Sequence, residues 1–137
     1  MRFLGIDYGS VRVGLALSDE TGMLATPLET VENSKAIIRI QTIVREKNVQ
    51  MIIVGMPRNM NNSYGQKAEE VRRFIQLLEK QIVIPVKPWD ERFTTQSVER
   101  MLIQTDISRK RRKEVIDKLA AQQILQSYLD SLPSQSS

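Results

Sequence analysis

The sequence predicts an α/β domain on a mixed five-stranded sheet, an antiparallel meander followed by βα units, with helices on both faces. Three observations predict it. Val11, Val13, Leu15 and Leu17 alternate with Arg12, Gly14, Ala16 and Ser18, the period of a half-buried strand. Met51-Ile52-Ile53-Val54 is a continuous apolar run, as in a parallel strand covered on both sides. Segments with helical spacing of apolar residues flank that run.

The elements follow in order. Residues 2–7 read as a short buried strand ending at Asp7, and Tyr8-Gly9-Ser10 as a turn, so 2–18 forms a hairpin. Asp19 to Gly22 is a second turn. Residues 24–31 return as a third strand, with Pro27 marking a break or an edge. Ser34 can cap a helix with Ile37, Ile38, Ile40, Ile43 and Val44 at its apolar positions. After the Met51–Val54 strand, residues 59–65 are a polar loop. A helix then runs to about Lys80, with Val71, Phe74, Ile75 and Leu78 on one face. Ile82 to Val86 is the next strand, and Pro85 places it at an edge. Thr94 or Thr95 can cap a short helix through Val98, Met101 and Leu102. Ser108 can cap the last one, whose apolar face holds Ile116, Leu119, Ala120 and Ile124. Residues 1–132 are expected to form one domain, with 133–137 a disordered tail.

Composition narrows the chemistry. The chain has 137 residues, 41% hydrophobic and 26% charged, which suits one globular domain. It has no cysteine, hence no disulfide framework and no zinc-thiolate site. It has no histidine, which removes the usual general base and every imidazole-ligated metal. Catalysis must therefore use carboxylates, Lys, Arg, hydroxyls or an oxygen-bound metal. Asp7 cuts the first apolar run short of a signal peptide, and no apolar stretch is long enough to span a bilayer. A soluble, cytoplasmic chain is expected. The net charge is +4. Its excess sits largely in Arg109, Lys110, Arg111, Arg112 and Lys113, a run that either binds phosphates or is a solvated helix start.

Three acidic positions invite chemistry. Asp7 lies in or beside a core strand, where an unpaired carboxylate is costly. Gly5 and Gly9 around it allow close approach of a ligand or another backbone. The alternative is that Asp7 caps its own turn. Asp90, Glu91 and Arg92 follow an apolar strand directly, where ligand sites of open α/β sheets gather, or they form a structural ion pair. Asp117 adjoins an apolar helix face with Ala120 and Ala121 one turn on, small enough to let that helix lie close to the sheet. Alternatively it pairs with Lys113 or Lys118. Three carboxylates at one end of a sheet would repel one another without a cation. Mg²⁺ or Mn²⁺ fits an all-oxygen set, and two such ions suit phosphodiester cleavage.

These residues carry a resemblance. Gly5-Ile6-Asp7-Tyr8-Gly9 with Arg12 to Asp19, Val54-Gly55-Met56-Pro57, Asp90-Glu91-Arg92-Phe93-Thr94-Thr95, and Lys113 to Asp117 with Ala120-Ala121 and Ile124-Leu125-Gln126 resemble the motifs of the YqgF (RuvX) family, in order, over about residues 2–130. The loop after Pro57 departs from the family pattern, with Asn61-Asn62-Ser63 before Gly65. The resemblance implies an RNase H-like fold related to Holliday-junction resolvases, and a cytoplasmic nuclease that matures the 5′ end of 16S rRNA. It implies Asp7, Glu91 and Asp117 as metal-binding catalytic acids, with Asp90 a further candidate. Arg12, Arg58, Lys87, Arg92 and the run Arg109 to Lys113 would then hold phosphates. The substrate is structured RNA, pre-16S rRNA or branched DNA, with the assembling small ribosomal subunit a candidate partner, no membrane, and the chain a monomer or homodimer. Two other readings fit the same residues. One is a non-catalytic ribosome-assembly module. The other is an actin-like or sugar-kinase-like ATPase, which needs two such domains where 137 residues supply one.

Overall fold

A computed structural model of the chain describes residues 1–57, 65–90 and 109–133. Five strands form one sheet in the order β3-β2-β1-β4-β5. They are β1 (Phe3–Asp7), β2 (Arg12–Ser18), β3 (Ala25–Glu32), β4 (Met51–Met56) and β5 (Val86–Asp90). β1, β2 and β3 are antiparallel neighbours, whereas β4 runs parallel to both β1 and β5. Helices α1 (Ala36–Glu46) and α2 (Gln66–Gln81) cover one face, and α3 (Arg109–Ser131) crosses the other. The mixed sheet with helices on both sides is the architecture expected from the sequence.

Strand alternation divides the core in two. Leu4, Ile6, Val13, Leu15, Ile52 and Val54 point toward α1 and α2. Phe3, Ala16 and Ile53 point toward α3, where they meet Ala121, Ile124, Leu125 and Tyr128. β1 and β4 are thus apolar on both sides, which is why they read as continuous runs. Each fully buried large aliphatic contributes about 1.5–3 kcal/mol.

The third strand is an edge, as Pro27 suggested. Leu15 pairs with Glu29 but Ala16 pairs with Pro27, so Leu28 is an extra residue, a bulge at the proline. Three expectations are corrected. Ser34 does not cap α1; a single 3-10 turn, Asn33–Lys35, precedes the helix, and Lys35 stands at its N-cap without a side-chain bond. Ile38, expected on the apolar face, is 70% exposed, and Ala36, Ile40 and Ile43 are the buried residues of α1. The last sheet strand is not Ile82–Val86. α2 continues to Gln81, Ile82 is its C-cap, and β5 begins only at Val86. The edge position was right, and the proline inside the strand is Pro88. The expected helix over 94–102, the Ser108 cap and residues 134–137 lie outside the described residues.

α3 is strapped to the sheet by polar groups as well as by packing. The Gln126 side chain accepts from the Ala25 amide (2.8 Å) and donates to the Met23 carbonyl (3.0 Å), while Gln122 donates to the Ala25 carbonyl (3.0 Å). Near the other end, the Thr30 hydroxyl donates to the Glu114 carbonyl (2.6 Å). Between these straps the helix lies against bare backbone. A β-carbon on Gly5 would stand 2.6 Å from Leu125 Cβ, and one on Gly14 would collide with the Asp117 carbonyl. Gly14→Ala should destabilise the fold by about 2–3 kcal/mol, because the obstruction is backbone that cannot rotate away. Urea unfolding of the variant measures this, and a loss below about 0.5 kcal/mol would contradict the close contact.

Candidate active site

β1, β4 and β5 all run the same way, so their carboxyl ends share one end of the sheet. Asp7 is the last residue of β1 and pairs with Gly14 of β2. By alternation it faces the α3 side, with Phe3 and Gly5. Gly14 is where the α3 backbone touches the sheet, at Asp117. Asp7 and the backbone of Asp117, 110 positions apart in the chain, therefore both adjoin Gly14. The Ala120-Ala121 pair lets the helix come this close; both are buried, and the Ala121 carbonyl lies 3.0 Å from where a Gly5 β-carbon would be.

Arg12 completes the group. It opens β2 on the same face as Gly14, and its Nε donates to Asp117 Oδ2 at 3.0 Å. Asp117 thus pairs neither with Lys113 nor with Lys118, the structural partners considered from sequence, but with a residue 105 positions away. The pair is partly desolvated, with side-chain exposures of 31% for Arg12 and 22% for Asp117. Burial raises the Asp117 pKa above the usual carboxylate value, and the Arg12 hydrogen bond and charge, with Lys67, offset this only in part.

Asp90 ends β5 at the same end of the sheet. Val86 packs with the α1–α2 core and Trp89 with the α3 core, so alternation puts Asp90 on the face opposite Asp7. Glu91, Arg58 and Arg92 lie outside the described residues. Among the described residues no group of three or more acids stands ready to hold a metal. Asp7 and Asp117 offer oxygen donors only, the chemistry that suits a hard divalent cation.

The remaining candidate cations divide. Arg111 lines a cleft of about 270 Å³ between β3 and α3, together with Thr30, Glu114 and Lys118. Arg112 is half-buried and Lys113 exposed. Arg109 and Lys110 open α3, and their side chains are outside the described residues. Lys87 sits over the Tyr128 ring, 5.2 Å from its centroid. Trp89 packs edge-on against Tyr128 and donates to the Ser127 hydroxyl (3.1 Å), and Tyr8 packs on Phe74, so both aromatics serve the core. A larger groove, about 530 Å³, lies at the opposite end of the sheet near Arg2 and Lys47, away from the acids.

The mixed five-stranded sheet with helices on both faces is an RNase H-like fold, and two solved structures share it. Thermus thermophilus RuvC, in complex with a Holliday junction substrate, superposes with a TM-score of 0.59 at 15% identity, covering 96% of this chain and 94% of its own. The fowlpox virus resolvase superposes with a TM-score of 0.61 at 15% identity, covering 98% and 100%. The chain belongs to the RuvX family, described as Holliday junction resolvase, whose model matches residues 1–131. A Listeria monocytogenes protein (serotype 4b, strain CLIP80459) named "Putative pre-16S rRNA nuclease" is 50% identical over 136 residues, covering 96% of this chain and 99% of its own. Relatives of the same name from Geobacillus sp. (strain WCH70) and Desulforamulus reducens are 48% and 47% identical.

The raised pKa of Asp117 has a measurable consequence. A carboxyl whose folded pKa lies above its unfolded value contributes stability that is full below the unfolded pKa and is lost as pH rises through the folded one. Asp117→Asn removes that loss. In the absence of divalent cation its melting temperature should exceed wild type at neutral pH, and the difference should shrink as pH falls into the ordinary carboxylate range. A variant less stable than wild type at neutral pH would show that the Arg12 pair outweighs the desolvation.

Proposed function

We propose that this chain is a divalent-metal-dependent nuclease that hydrolyses phosphodiester bonds of structured RNA in the cytoplasm, maturing the 5′ end of pre-16S rRNA. The placement of Asp7 and of the Asp117 backbone on either side of Gly14 carries the reading. No His or Cys is present to run another hydrolytic chemistry. The names of relatives 47–50% identical over nearly the whole chain support the substrate. No helix among the described residues is long and apolar enough to cross a membrane.

Asp7 and Asp117 would hold Mg²⁺ or Mn²⁺ with Glu91 as the third acid. Glu91 is preferred to Asp90 because β5 alternation puts Asp90 on the face opposite Asp7. A pair of such ions would activate water and stabilise the leaving oxygen. The chain's own part is positional. The β1–β2 ladder fixes Asp7, the α3 contact at Gly14 fixes Asp117, and Arg12 orients the Asp117 carboxylate. Arg111, Lys113 and the cations outside the described residues, Arg58 and Arg92, would hold flanking phosphates.

Branched DNA is the second reading, favoured by the resolvase fold of the neighbours. A resolvase needs a symmetric pair of subunits for paired cuts. One experiment separates the two. Wild type and Asp7→Asn are incubated with Mn²⁺ and either an RNA spanning the 16S leader or a four-way DNA junction. Leader cleavage that falls at least about 1000-fold in the variant is expected, the loss of several kcal/mol of charge stabilisation. Symmetric junction cuts alone would select the resolvase. Binding without cleavage of either would select a non-catalytic assembly factor.

A further inference from the structure

Arg12 is held more tightly than a surface arginine and uses only part of its donor set. Its backbone is pinned by the β1–β2 turn. A β-carbon on Gly9 would collide with the Arg12 carbonyl, and Asn33 ties the turn down by donating from its side chain to the Gly9 carbonyl (2.8 Å) and from its amide to the Val11 carbonyl (2.9 Å). The side chain therefore starts from a fixed point and reaches Asp117 with Nε. Among the described residues the two terminal amino groups make no hydrogen bond or ion pair, and the side chain is 31% exposed. A guanidinium is a rigid fork whose amino edge matches two phosphate oxygens. Here that edge is left over immediately beside the acids.

We propose that Arg12 is a positioning residue with two simultaneous duties: its Nε fixes the Asp117 carboxylate for a divalent cation while its terminal amino groups take a phosphate of the nucleic acid, so that one side chain couples cation and substrate binding. The proposal rests on the metal-dependent nuclease reading and adds to it a mechanism of cooperation. Ligating carboxylates held by an outer partner lose about 10–100-fold in metal affinity when that partner is removed. A lysine cannot replace Arg12, because a single ammonium on a flexible stem cannot hold the carboxylate and the phosphate in one fixed geometry. An ion pair with a merely structural role at this exposure would contribute about 0–1 kcal/mol to folding and nothing to coupling.

The test reads binding rather than turnover. Free Mn²⁺ is measured by electron paramagnetic resonance as the full-length chain is titrated, with and without a nuclease-resistant phosphorothioate RNA dodecamer. In wild type the RNA should tighten Mn²⁺ binding about tenfold, and Mn²⁺ should tighten RNA binding by the same factor. Arg12→Gln should weaken Mn²⁺ binding about tenfold without RNA, and both Arg12→Gln and Arg12→Lys should lower the coupling factor to about two. Wild-type Mn²⁺ affinity in Arg12→Gln, or an undiminished coupling factor in Arg12→Lys, would overturn the proposal. Asp117→Asn tells which claim has failed. If it abolishes Mn²⁺ binding while the Arg12 variants behave as wild type, only the role of Arg12 falls. If it binds Mn²⁺ as wild type does, the metal site falls with it.

Discussion

Everything functional in this molecule depends on how closely α3 lies on the sheet. The contact is backbone against backbone. Gly14 offers no side chain, the Asp117 carbonyl fills the space, and one turn further on Ala120 and Ala121 keep the helix near β1 at Gly5. Were Gly14 any other residue, the helix would have to move away, and the acid it carries would leave the end of β1. The glutamine straps at Met23 and Ala25 and the Thr30 bond to Glu114 fix the helix along its length, so the approach is set at several points rather than one.

The same contact creates the electrostatic problem that the site exploits. Pressing the helix that carries Asp117 against the sheet strips that residue of water, and its pKa rises because the charged form is disfavoured. Arg12 relieves part of that cost but not all of it. A carboxylate left only partly compensated is one that a cation would stabilise more than burial alone allows. If the proposed metal site is right, stability of the metal-free fold would be exchanged for affinity.

Much of this was legible in the sequence, and the limits are physical. The meander, the parallel β4 and the edge strand with Pro27 announced themselves through alternation, an apolar run and a missing donor. β5 did not. Its Lys87, Pro88 and Asp90 make a poor strand by propensity, while the apolar Ile82 to Val86 stretch before it makes a good one. Pairing with β4, not local preference, selects the later segment. Ile38 misled for a related reason: helical spacing marks a face, but the width of that face depends on what covers it. At the site, the motifs and the small residues on α3 pointed to Asp7 and Asp117. That Asp117 would pair with Arg12 was invisible, because the two are separated by 105 positions and only the α3 crossing joins them.

Crystals grown in Mn²⁺ and measured at the manganese absorption edge would show whether Asp7 and Asp117 together hold a divalent cation. An anomalous peak is expected within about 2–2.3 Å of a carboxylate oxygen from each of the two acids. A peak on neither, or on one acid alone with the other still bound to protein partners, would rule the shared site out.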